Sequence, residues 1–137
     1  MKNFLSVLTF ITLNLTFSIS HAFECADLKL VCHSTRVNSD GRMMVGPTAS
    51  ALFVAENNNE PSLPAISCVA QLNMPTLNPN NSFTAHVIGH QFFMGHFYVS
   101  NKAGVVNQQF STQLTENQKV ELTYGQDHFN CSLVSLN

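Results

Sequence analysis

Residues 83–100 read FTAHVIGHQFFMGHFYVS. Phe83, Ala85 and Val87 alternate with Thr84, His86 and Ile88, and beyond Gly89-His90-Gln91 the pattern resumes, with Phe93, Phe97 and Val99 in one phase and Met94, His96 and Tyr98 in the other. A period of two carried by aromatic and β-branched residues is the pattern of half-buried strands, so the stretch predicts a β-hairpin. With the turn centred on Gln91, His86 stands opposite His96 and Ile88 opposite Met94 on one face, while Phe83, Ala85, Val87, Phe93, Phe97 and Val99 form the core face. A one-residue slip would place His86 opposite Gly95 and on the other face from His96. The alternative is a single strand bulged at Gly89, which would set His86 and His90 on one face.

The same alternation recurs outward along the chain, at residues 28–37, 49–55, 66–72, 108–114, 119–124 and 129–136, with the quoted stretch supplying 83–89 and 92–100. Between these runs lie Asn-, Gly- and Pro-bearing segments such as Asn38-Ser39-Asp40-Gly41 and Asn101-Lys102-Ala103-Gly104, which suit turns. No run after residue 22 has a helical period, and parallel strands would need crossover helices. The expectation is therefore an all-β fold, an antiparallel β-sandwich or small barrel of about eight strands. Leu28, Leu30, Cys32, Ile66, Cys68, Ala70, Leu72, Phe129, Cys131 and Leu133 are expected to face inward.

Residues 1–22 open with Lys2, continue as an apolar run from Phe4 to Ile19 and close on Ser20-His21-Ala22. That order of charged, apolar and small residues predicts a secretory signal peptide cleaved before Phe23, leaving residues 23–137 as a single secreted or periplasmic domain with no transmembrane segment. Export gives the four cysteines their meaning. Cys25, Cys32, Cys68 and Cys131 form an even set without a Cys-x-x-Cys pair, so two disulfides are expected rather than a zinc site. In an extended segment Cys25 and Cys32 would stand roughly 20 Å apart at about 3.3 Å per residue, beyond the ~7 Å that a disulfide spans. Of the two schemes left, Cys32 with Cys68 and Cys25 with Cys131 is the expected pairing, because Cys32 and Cys68 share the inward phase and the other two lie near the ends.

Six Lys and Arg against eight Asp and Glu, a net charge of −2, and the lack of any basic run exclude a phosphate-backbone binding surface, so nucleic acid is not an expected partner. No His-Glu-x-x-His, Gly-x-Ser-x-Gly or phosphate-cradling glycine loop is present, and the carboxylates Asp27, Glu56, Glu60 and Asp127 fall mostly at turns, so the chain is expected not to be an enzyme. The leading expectation is a non-enzymatic binding or structural module that contacts a protein or glycan through Phe92, Met94 and Tyr98, since the strand bearing them is bulky in both phases. A second is a periplasmic copper- or zinc-binding protein using His86, His96 and Met94, with His90 as a substitute. Imidazole ligates both metals, and a thioether adds preference for Cu(I). A third is an inhibitor of an extracellular enzyme presenting the proline-bearing loop from Glu60 to Pro64.

Overall fold

Alternation resolves into nine strands and two antiparallel sheets in the computed structural model, which describes residues 25–62, 66–90 and 92–136. The predicted signal peptide, residues 1–22, lies outside the described residues, as do residues 63 and 64 of the proline-bearing loop. A short 3-10 turn, Cys25–Asp27, leads into β1 (Leu28–Val37), which forms a hairpin with β2 (Met43–Leu52). A meander follows: β3 (Val54–Asn57), β4 (Ile66–Pro75), β5 (Asn81–Gly89), β6 (Phe93–Asn101) and β7 (Val106–Leu114). The chain closes with a second hairpin, β8 (Lys119–Tyr124) and β9 (Asp127–Ser135). The two hairpins pair through β1 and β9 into a four-stranded sheet ordered β2-β1-β9-β8, and the meander forms a five-stranded sheet ordered β3-β4-β5-β6-β7.

The sheets pack as a sandwich on the phase that the alternation marked. Phe83, Ala85, Val87, Phe97 and Val99 of the five-stranded sheet are fully buried, as are Leu30, Phe129, Cys131 and Leu133 of the other. Phe129 stacks on Phe83 across the two layers, with ring centroids 4.2 Å apart and an interplanar angle of 10°. Each such ring removes 150–250 Å² from water, about 4–6 kcal/mol at roughly 25 cal/mol per Å², so this cross-layer stack is a large part of what holds the sheets together. Gly95 faces the same core, and the side chains of Phe97 and Leu114 occupy the space its missing Cβ leaves.

Four expectations are corrected. The run expected at 49–55 is two strands in different sheets: β2 begins at Met43, carrying Gly46-Pro47 within it, and the chain then passes from one sheet to the other at Phe53. Phe53 is buried there against Phe93, ring edge to ring face at 5.3 Å. The disulfides join Cys25 to Cys68 and Cys32 to Cys131, not Cys32 to Cys68 and Cys25 to Cys131. The reason is strand order: β1 and β9 are neighbours with Cys32 and Cys131 directly opposite, Cα to Cα 4.1 Å, while the 3-10 turn ahead of β1 brings Cys25 within 5.2 Å of Cys68. The first bridge ties the start of the four-stranded sheet to the five-stranded one, and the second lies within a sheet. Finally, Asp127 is not a solvated turn residue. It is buried at the start of β9, where Arg36 on β1, opposite in register, donates to its carboxylate at 3.0 Å. Ile66, expected inside, is exposed at the first position of β4.

Candidate functional site

The hairpin at the centre of the sequence forms with the expected register. His86 pairs with His96, Ile88 with Met94 and Gly89 with Phe93, so the chain reverses between Gly89 and Phe93; Gln91 lies outside the described residues. Register propagates across the neighbouring strands, so the outer face of the five-stranded sheet carries three rows. These are Gln71, His86, His96 and Ser111; Asn73, Thr84, Tyr98 and Gln109; and Val69, Ile88, Met94 and Gln113. None of these residues is charged. His96 Nδ1 lies 3.0 Å from Ser111 Oγ, and Thr84 donates to Asn73 Oδ1 at 2.7 Å.

The sequence-predicted residues divide over this face and its end. His86, His96 and Met94 come together, His86 and His96 side by side and half-buried, Met94 exposed two residues along the strand from His96. His90 does not join them, because it sits in the turn beyond the last paired residue. His33 and His128 belong to the other sheet, with Nδ1 atoms 2.7 Å from Thr48 Oγ1 and 3.2 Å from Thr123 Oγ1. Phe92 is 74% exposed at the hairpin tip and Met94 42% exposed, whereas Tyr98 is half-buried.

Phe92 also borders an apolar cleft of about 450 Å³ at this end of the sandwich, lined by Leu28, Phe93, Leu114 and Leu133, with Gln113, Thr115 and Glu116 at its margin. On the other side of His90 lies a second cleft, of about 510 Å³, bounded by the Cys25–Cys68 bridge, Phe53, Val54 and Ile66. Leu114, the last residue of β7, forms part of the first cleft's wall, so strand and cleft are continuous.

The run expected at 108–114 is β7, but sequence reasoning did not place it at the edge of a sheet. The directions of its backbone groups follow from one proline. Pro75 has no N–H, so its pair with Ser82 is of the non-hydrogen-bonded kind. The two kinds alternate along a ladder, so Ser82, Thr84, His86 and Ile88 aim their backbone groups at β6, and Phe93, Gly95, Phe97 and Val99 aim theirs at β7. Asn101, in the same phase, agrees: its N–H donates to Val105 O at 2.9 Å on the β7 side. Gln108, Phe110, Thr112 and Leu114 therefore bond back to β6, and Gln109, Ser111 and Gln113 point their N–H and C=O groups off the sheet. The register is unbroken from Gln108 to Leu114, the one irregularity lying before it.

The other three sheet edges are obstructed. β3 is only four residues long and carries Glu56, β8 carries Lys119 and Glu121, and β2 contains Gly46-Pro47 opposite a register shift. Short length, charge, proline and bulges are the devices that keep sheet edges from pairing. β7, VNQQFSTQL, has neither charge nor proline, and that much is visible in the sequence. Among the described residues no cluster of three or more His, Cys, Asp or Glu is placed to hold a metal, and no helix is long and apolar enough to cross a membrane. No protein-family model, curated protein or solved structure matches the chain.

Proposed function

We propose that the protein is an exported, non-enzymatic binding module that takes up an extended segment of a partner protein as an added strand along β7. The observation that carries this reading is the contrast among edges: β7 keeps seven residues in regular register with no obstruction, where β2, β3 and β8 are each blocked. An added strand of matching length would run about 24 Å at ~3.4 Å per residue, and it would meet one N–H and one C=O each from Gln109, Ser111 and Gln113. Those six bonds together contribute about 3–9 kcal/mol, which leaves little or no surplus over the 4–15 kcal/mol that association costs. Affinity must come from an apolar anchor, and the cleft under Phe92, at the Leu114 end of β7, is placed to receive one. Burying about 100 Å² of an apolar side chain there contributes roughly 2.5 kcal/mol. The sequence of residues 1–22 and the two disulfides support export.

The reading is tested by panning a random dodecapeptide display library on oxidised residues 23–137. It expects enriched peptides with alternating apolar residues and a large apolar residue near one end, and loss of their binding to a Gln109→Pro variant that keeps the wild-type fold. Peptides that bind the variant undiminished, or no enrichment at all, would overturn it.

A further inference from the structure

The cross-strand histidines allow an inference independent of strand addition along β7. His86 and His96 occupy directly opposed positions on one face, where side chains have Cβ atoms about 4.5–5.5 Å apart. Two imidazoles so placed can converge on a single ion at the ~2.0 Å that metal–nitrogen bonds require. The environment of His96 suits a ligand: Ser111 Oγ lies 3.0 Å from Nδ1, and in the tautomer whose Nδ1–H donates to that hydroxyl the lone pair sits on Nε2, where a metal would bind. Met94, on the same face as His96 and diagonal to His86 through its pairing with Ile88, lies about 7–8 Å off at the backbone, within reach of a flexible thioether.

The donor set selects among ions. No carboxylate occurs in the rows that surround the pair, which disfavours calcium and magnesium, the oxygen-seeking ions. Structural zinc takes four ligands, and the described residues bring no third His, Cys, Asp or Glu to the pair. Two imidazoles and a thioether match a softer ion. We propose that His86, His96 and Met94 form a surface site for copper(I), oriented by Ser111.

The test is a titration of oxidised residues 23–137 with copper(I), held reduced by ascorbate and buffered by a chromophoric competitor chelator, with zinc(II) run in parallel. The site predicts one copper per chain. His86→Ala and His96→Ala should each weaken binding by at least about 100-fold, and Ser111→Ala by about 10-fold, the usual range for a group that orients a ligand. Met94→Leu should weaken copper(I) and leave zinc(II) unchanged. His96→Asn, which keeps a polar side chain of similar reach, serves as a second variant should His96→Ala misfold. No stoichiometric transfer from the competitor, or stoichiometric copper retained by the His86→Ala, His96→Ala double variant, would overturn the site. Zinc bound as tightly as copper with Met94→Leu silent would overturn its assignment to copper(I).

Discussion

Two proline substitutions three residues apart on β7 should have unequal consequences. Thr112 lies opposite Gly95, and the phase set by Pro75 makes theirs a hydrogen-bonded pair. Thr112→Pro removes a bond worth about 0.5–1.5 kcal/mol and strands the carbonyl of buried Gly95, which costs a further 1–3 kcal/mol or so. The expected loss is about 3 kcal/mol, equivalent to a fall in Tm of roughly 10 °C or more for a domain of this size. Gln109 points its N–H off the sheet and its side chain to solvent, a position where edge strands accept proline, so Gln109→Pro should stay within about 1 kcal/mol of wild type. Thermal and urea unfolding followed by circular dichroism measure both. Equal destabilisation by the two variants, or the larger loss at Gln109, would refute the phase assignment and with it the claim that Gln109, Ser111 and Gln113 offer unpaired backbone groups.

Further outcomes follow from the core and its crosslinks. Arg36→Met leaves the buried Asp127 carboxylate without its 3.0 Å partner and should cost about 3–5 kcal/mol in urea unfolding. Ser34 is buried with no hydrogen-bond partner for its Oγ among the described residues, so Ser34→Ala should raise stability by about 1 kcal/mol, read from the same titration. Gly95→Ala would bring a methyl within 2.6 Å of the Phe97 ring and against Leu114, an overpacking expected to cost about 1–3 kcal/mol. Mass spectrometry of a non-reducing digest should find the 25–68 and 32–131 crosslinks and no peptide joining Cys32 to Cys68.

What alternation encodes is the face a residue occupies, and that was legible. The odd positions of β5 and β6 are core because Phe83, Val87, Phe97 and Val99 occupy them, and an odd-numbered turn about Gln91 was enough to place His86 opposite His96. What alternation does not encode is which strands are neighbours. Cys32 and Cys68 both face inward, yet inward phase is shared by every core residue, and only the adjacency of β1 and β9 selects Cys131 as the partner of Cys32. Asp127 read as a turn residue for the same reason, since Arg36 opposite it lies 91 positions away in the chain. The bare composition of β7 was in plain view, but a strand without charge or proline is unremarkable until it lies at an edge. β2 was shortened because Gly46-Pro47 interrupts its alternation, and Phe53 gave no sign that it marks the crossing between sheets.

Amide hydrogen exchange at β7, with and without a peptide selected on the wild-type domain, tests strand addition most directly. Bound peptide should slow the amides of Gln109, Ser111 and Gln113 by at least about 100-fold while those of Phe110 and Thr112, already bonded to β6, change far less. Protection confined to the hairpin tip around Phe92, with Gln109, Ser111 and Gln113 exchanging as in the free protein, would contradict it.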